Sequence, residues 1–350
     1  MKRKISVKRI LLFLGFLIIL AGIAFATFML LKPGKKSDSK QNEPKPVKPE
    51  PPKEKVDIID VESKTRPFAV VINNTPVAVK VQEGLNKAYI VYEIPTEGST
   101  SRLMALYKDV EENTTIGTVR SVRHNFIDYA FESNAILVGY GYSYYAEVEL
   151  NNQHVIDYMN GMIHSKPFWR NNPEHLASEH TAYTSINRIK DFAYNTKKYN
   201  KEGENTVLLN YNVKDTDLSS NEGVVDATEI TIPYGNIVTK FKYNPETKMY
   251  TKIVNGVEIK DHNTKESITT KNIIIEKITY GMTASNYYWD LHTTGSGSGY
   301  YITNGKAVHI KWSKSSRKAK TKYTYNDGKE IEVSDGRTYI QVTVRNYTIK

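Results

Sequence analysis

The sequence predicts an α+β or α/β fold. A mixed α/β domain at 61–200 precedes a small antiparallel β-rich domain at 236–350, and one transmembrane helix stands before both. Three observations predict this. An uncharged apolar run fills 10–31, helical and strand patterns alternate over 61–200, and from 236 onward short strands are punctuated by turn dipeptides. At 39% hydrophobic and 11% aromatic residues, the chain has enough apolar side chains to build cores.

The apolar run Ile10–Leu31 holds 22 residues. A helix rises about 1.5 Å per residue, so this length spans a hydrocarbon core of roughly 30 Å. Lys2, Arg3, Lys4, Lys8 and Arg9 precede it and predict that 1–9 is cytoplasmic and the rest of the chain outside. Ala24-Phe25-Ala26 resembles a signal-peptide cleavage site, but the apolar run continues past it to Leu31, which favours an uncleaved single-pass anchor in the cell membrane. The linker at 32–60 is rich in Pro, Lys and Glu, six of the chain's 13 prolines falling within 32–56, and reads as an extended spacer.

The net charge of +10 is concentrated at this end. Residues 1–56 contain 13 Lys/Arg and 4 Asp/Glu, leaving 35 and 34 of the chain's 48 and 38 for the folded part. A nearly neutral folded part gives no reason to expect nucleic acid. The chain has no cysteine, which excludes disulfides, thiolate metal sites and a lipidated cysteine. Its 25 tyrosines, beside many Lys, Asn and Ile, read as AT-rich codon usage rather than as a binding feature.

Within 61–200, FAVVI (68–72), AYIVYE (88–93), RLMALYK (102–108) and AILVGY (135–140) read as strands from their length and their β-branched and aromatic content. Apolar spacing from Val122 predicts a helix with Ser121 as its N-cap and with Arg120, His124 and Asp128 on one stripe. A second helix is predicted around Ser185–Tyr194. Residues 201–235 read as a connection, with one short strand in TVLLNYN. Beyond it, IVTKFKYNPETKMYTKI reads as a hairpin, and NIIIEKI, GYYIT, AVHIKW, TKYTYNDGKEIEV and TYIQVTV as strands joined through Asn255-Gly256, Asn304-Gly305 and Asp327-Gly328.

Candidate functional residues come from three segments. YEIPTEGSTSR supplies Glu93, Glu97 and Arg102, TVRSVRH supplies Arg120, Ser121 and Arg123, and SEHTAYTS supplies His180. Arginines can hold a carboxylate or phosphate bidentately, and paired carboxylates can either neutralise them or act as acid and base. Mutual neutralisation of Glu93 and Glu97 by the arginines is the simpler expectation, with an anion site the alternative. Ser121 lacks the flanking glycines of a nucleophile elbow. Asp128, Asp157, His164, His175 and His180 have no metal-ligand spacing, and neither a metal nor a cofactor is expected. GSGSG (295–299) lacks the Lys-Ser/Thr of a phosphate loop and reads as a flexible loop, while the basic run 311–323 reads as a solvated hairpin face.

Several segments in order identify a resemblance: RPFAVVINN (66–74), VQEGLNKAYIVYEIPTEGSTSRLMALY (81–107), IGTVRSVRHNFIDYA (116–130), HTAYTS (180–185), FKYNPETKMY, GSGSGYYITNGKAVHIKWSKSSR and GRTYIQV. Over about 66–345 the chain resembles the YerB-like lipoprotein family of Gram-positive bacteria. The resemblance implies an α/β domain, a β-rich domain and an envelope location, and it brings no reaction. The family's motif positions fall here on Arg66, Asn73, Gly84, Glu93, Glu97, Arg102, Arg120, Ser121 and Arg123. Two departures stand out: no lipidation cysteine, and Gly139 and Tyr144 where the family's His-x-Gly-x-Ser-Pro pattern has His and Pro. The expected function is therefore a membrane-anchored extracytoplasmic protein binding an anionic wall polymer or an envelope protein. The rivals are an enzyme acting on a wall polymer, with Glu97 as acid/base, and a non-catalytic regulatory interaction module.

Overall fold

In a computed structural model of the protein, residues 55–350 are described apart from Glu111 and Pro173. The expected transmembrane helix and most of the linker lie outside the described residues. Among those described, no helix is long and apolar enough to cross a membrane.

Strand alternation locates two cores on opposite faces of one sheet. In β1 (Phe68–Asn73), Phe68, Val70 and Ile72 enter one core and Ala69 and Val71 the other. β2 (Ile90–Thr96) and β3 (Thr100–Tyr107) behave alike: Val91, Leu103 and Ala105 face one side, and Ile90, Tyr92, Met104 and Leu106 the other. Successive side chains point to opposite faces, so a strand covered on both sides must be apolar throughout. α1 (His124–Glu132) covers one face, inserting Phe126, Ile127, Tyr129 and Ala130. Burying each of these larger side chains contributes about 1.5–3 kcal/mol.

The sheet continues through β4 (Ile136–Gly139) and β5 (Tyr158–Asn160), both parallel to β1. On its other side it takes in strands from the C-terminal half: β6 (Asn272–Lys277), β7 (Gly295–Thr303), β8 (Lys306–Lys314) and β9 (Thr338–Thr343). The order is Val225–Asp226, β8, β7, β6, β9, β2, β3, β1, β4, β5, with Lys322–Thr324 beside β8, making eleven strands. β9 is the junction. It runs parallel to β2, from Ile90 opposite Thr338 to Glu93 opposite Gln341, and parallel to β6.

A mixed α/β region followed by a β-rich region is present as expected, but the β-rich part is not wholly antiparallel: its strands extend the N-terminal sheet, and β9 pairs in parallel with both β2 and β6. Both strand partners of β9 are far away in sequence, so no local pattern specifies the pairing. A second sheet, centred on the predicted hairpin Val238–Asn244 and Met249–Val254, lies over the first. Its inward Ile230, Phe241, Tyr250 and Val254 join Ile273, Ile275 and Tyr339 in one core.

Other expectations change locally. GSGSG is not a loop but the first half of β7. A Cβ on Gly299 would lie 1.8 Å from the Ile275 carbonyl oxygen, and one on Gly297 would lie 2.5 Å from Trp312 Nε1, so the glycines allow close strand approach. TVLLNYN gives only Tyr211–Asn212 as strand, while Leu208 and Leu209 are buried from loop backbone. The second helix is Ile186–Asp191, continued by a wider turn at Phe192–Thr196. The basic run is not simply a solvated face. Lys314 is buried on Glu132 at 2.6 Å, and Arg317 reaches Asp128 at 2.6 Å and Glu149 at 2.7 Å.

Candidate functional site

The stretch from Thr118 to Val122 does not begin a helix. It is an extended strap between the ends of β1 and β4. The Asn73 amide donates to Thr118 O and the Arg120 amide to Val71 O, while the Tyr140 amide donates to Arg120 O and the Val122 amide to Gly141 O. These tertiary hydrogen bonds outcompete the first helical turn that the apolar spacing suggested. α1 therefore starts at His124, and its N-cap is Arg123 in extended conformation without a side-chain cap. Ser121 is no N-cap; its Oγ donates to Tyr140 O at 2.9 Å. Arg120 and Ser121 thereby sit at the carboxyl ends of the parallel strands, where open α/β sheets place their ligands.

β3 and the β2–β3 turn bring the partners. Arg102 lies opposite Asn73 on β3, and Glu97 lies in the turn, which reverses through Gly98 (φ 69°) and Ser99 (φ 57°). Arg123 grips Glu97 with Nε at 2.9 and 2.8 Å from the two carboxylate oxygens, and Nη2 donates to the same group. Arg102 Nη2 stands 3.8 Å from Glu97, and its Nη1 donates to Ser121 O. Burial, reinforced by the neighbouring Arg123 charge, pushes the Arg102 guanidinium down to about 9, still charged at neutral pH. Burial works to raise Glu97, but the hydrogen bonds and charge of Arg123, with the charge of Arg102, outweigh it and hold the carboxyl below its ordinary value.

Arg120 is the third guanidinium. Its Nη2 lies 3.3 Å from Glu179, an exposed residue, and its Nε is buried without a hydrogen-bond partner. Burial lowers its pKa despite Glu179. His180 closes this side. Asn73 Oδ1 accepts from the Thr75 amide, so Nδ2 is the group paired at 2.7 Å with His180 Nδ1, and the ring proton sits on Nε2, 3.4 Å from Glu179. Burial depresses the His180 pKa and favours the neutral ring.

Glu93 does not belong to this cluster, contrary to the expected constellation. It is fully buried on the face of β2 toward the second sheet. There it accepts from Asn74 Nδ2 at 2.9 Å, Ser101 Oγ at 2.8 Å and Thr239 Oγ1 at 2.8 Å, with Lys252 Nζ at 3.8 Å. The structure thus brings together Glu97, Arg102, Arg120, Ser121, Arg123 and His180 and leaves Glu93 apart.

Sequence reasoning missed Glu179 and the tyrosines. Arg123 lies 5.6 Å above the Tyr288 ring, and His124 lies 5.7 Å from Tyr145. The signal for them in the sequence is the adjacency of rings in YSYY (142–145) and NYYWD (286–290). Among the described residues no group of three or more His, Asp or Glu gathers as a metal site. Asp128 is engaged by Arg317 and Thr293, and Asp157 by Arg66. A cavity of about 520 Å³ lies beside Arg66 and His154, but Arg66 is already committed to Asp157, Asn134 O and Asn200 O.

Fold and cluster together define a protein with one long mixed sheet and, at the ends of its parallel strands, three arginines beside two carboxylates: Glu97, gripped by Arg123 with Arg102 close by, and exposed Glu179, paired with Arg120. The chain belongs to the family described as "Protein of unknown function (DUF3048)": residues 56–200 match its N-terminal domain and 230–340 its C-terminal domain. It is 29% identical over 282 residues to a Bacillus subtilis (strain 168) protein named "Putative lipoprotein YerB", covering 79% of this chain and 81% of that protein. The crystal structure of YerB from Bacillus subtilis superposes with a TM-score of 0.71 at 26% identity, covering 84% of this chain and 99% of the other.

Proposed function

We propose that the protein is an extracytoplasmic component of the cell envelope that binds an anionic ligand, an envelope polymer or the acidic surface of a partner, at Arg120. The envelope location is supported by the lipoprotein name of the YerB relative and by the apolar segment 10–31, which serves as a single-pass membrane anchor in a sequence without cysteine. The observation that carries the ligand class is the imbalance at the cluster. Three guanidiniums stand against two carboxylates: Glu97, which Arg123 grips and Arg102 approaches, and Glu179, an exposed partner of Arg120.

Catalysis by Glu97 is the weaker reading. Both its oxygens are engaged by Arg123, and a carboxyl held ionised has no proton to donate.

The test is titration of full-length protein in a non-ionic detergent with polyphosphate at low salt. Binding is expected, weakening as salt rises. Arg120→Ala is expected to abolish most of it, and Glu179→Gln to tighten it by freeing Arg120. Equal binding by wild type and Arg120→Ala would remove the site.

A further inference from the structure

Beside the arginines stands a set of tyrosines whose outer sides have no structural task. They come from two places: the short helix Tyr144–Glu147 that follows β4, and the hairpin formed by Tyr280–Met282 and Trp289–Leu291. The hairpin is fixed to α1, since Asn125 Nδ2 donates to Trp289 O at 2.7 Å and the Leu291 amide donates to Asn125 Oδ1 at 3.1 Å. It is fixed to that short helix as well, the Ser285 amide donating to Tyr145 OH at 2.9 Å.

The inner rings are held by edge-to-face contacts. Tyr288 meets Tyr145 at 6.0 Å and Tyr287 at 4.8 Å, and Tyr145 meets Tyr144 at 5.4 Å. The outer rings are open: Tyr144 is 67% and Tyr287 60% exposed. Tyr280 stacks on Trp289 at 4.7 Å, nearly parallel, and is itself 46% exposed. A tyrosine already fixed by its neighbours loses little freedom on binding. The hairpin turn between Tyr280 and Tyr287 carries the short polar groups Thr283, Ser285 and Asn286 after exposed Met282, and the Asp290 carboxylate beyond Trp289 is turned to His124 at 3.6 Å.

This combination fits one chemistry. The negative face of an aromatic ring attracts the polarised C–H face of a sugar. The short polar groups suit its hydroxyls, and a guanidinium beside them takes a carboxylate or phosphate carried on the same chain. Arg123 lies over Tyr288, which meets Tyr287, and Arg120 is on the same strap as Arg123, so charged and aromatic groups adjoin, as suits a polymer carrying both rather than a single small anion.

We propose that the tyrosines of the hairpin and of the short helix, together with Arg120, form an extended binding surface for an acidic polysaccharide. The proposal rests on the anion-binding reading of Arg120 and adds to it the sugar-recognising half.

The experiment uses full-length protein in a non-ionic detergent and three probes: polygalacturonate, which has rings and charge; polyphosphate, which has charge without rings; and dextran, which has rings without charge. Polygalacturonate is expected to bind tightest and dextran weakest. A ring that packs on the C–H face of a sugar contributes only where the ligand carries rings. Tyr280→Ala and Tyr287→Ala should therefore each weaken polygalacturonate about five- to tenfold while leaving polyphosphate unchanged. Arg120→Ala should weaken both charged probes. All three side chains are at least partly exposed, and unchanged melting temperatures would confirm that the variants fold.

If the tyrosine variants bind polygalacturonate like wild type while Arg120→Ala does not, the polysaccharide proposal fails and the anion site stands. If Arg120→Ala changes neither charged probe, both readings fall. Failure of wild type to bind polygalacturonate more tightly than polyphosphate overturns the proposal in favour of a simple anion or an acidic protein partner.

Discussion

Glu93 and Glu97 are four residues apart and carry the same carboxylate, yet they occupy opposite kinds of environment. Glu93 is sealed between the two sheets, with three neutral donors and the buried Lys252. Glu97 stands at the sheet end between Arg123 and Arg102, beside a third arginine, Arg120, which is partly open to solvent and pairs with exposed Glu179. The first pair is a closed account in which every carboxylate interaction is internal. The second carries more positive than negative charge, and only that excess can act on something outside the protein. A charged cluster is a candidate site when its charges fail to cancel, and burial alone does not make it one.

The contrast can be broken most severely at its inner end. Glu93→Ala leaves the Lys252 ammonium buried with no carboxylate, and Lys252 Nζ already lacks a hydrogen bond. The expected loss is about 3–5 kcal/mol in denaturant unfolding. Adding Lys252→Met should restore much of it, because a neutral pair removes the stranded charge. A Glu93→Ala variant of wild-type stability would refute the sealed-pair account.

A smaller loss is expected at the outer end. Arg123→Ala frees both oxygens of Glu97 but leaves Arg102 beside it, and should cost about 1–3 kcal/mol. Thermal melts of this variant against wild type measure the difference.

Acid titration sharpens the same point. The Glu97 pKa is lower in the folded chain than in the unfolded one, so its contribution is fully present above the unfolded carboxylate value. It is lost as the pH falls through the depressed folded value. Stability followed below neutrality should therefore fall less steeply in Arg123→Ala than in wild type across the acidic range. Identical slopes would show that Arg123 does not hold Glu97 ionised.

The smallest structural effect is predicted for Arg120→Ala. Its pair with exposed Glu179 is worth about 0–1 kcal/mol, so the melting temperature should hardly move while polyphosphate binding is lost. A large stability loss would instead make Arg120 a structural residue.

Much of the fold was legible because its signals are local. FAVVI, RLMALYK and NIIIEKI are too apolar and β-branched to be anything but covered strands, and they are β1, β3 and β6. Asn255-Gly256 and Asn304-Gly305 are turns, as their chemistry requires. The helix start was misread because apolar spacing from Val122 satisfies a helix as well as it satisfies the extended strap. The backbone of Arg120 and Val122 found partners on Val71, Tyr140 and Gly141, none of which is adjacent in sequence. GSGSG looked like a loop because glycine's usual role is freedom; here the absence of a side chain lets β7 approach β6.

Composition and side-chain periodicity alone mark most of the strands and turns, a basic apolar amino-terminal segment distinct from a nearly neutral folded part, and Glu97, Arg102, Arg120, Ser121, Arg123 and His180 as candidates, though not their meeting. Side-chain periodicity and composition are properties of neighbours along the chain, so they can be read there. Only the tertiary structure decided that β9 joins the two halves into one sheet, that Glu93 turns inward while Glu97 meets the arginines, and that the hairpin tyrosines stand beside them. Each of those outcomes depends on hydrogen bonds, burial and charge contacts between segments far apart in sequence, and their energies exist only once the segments have been brought together.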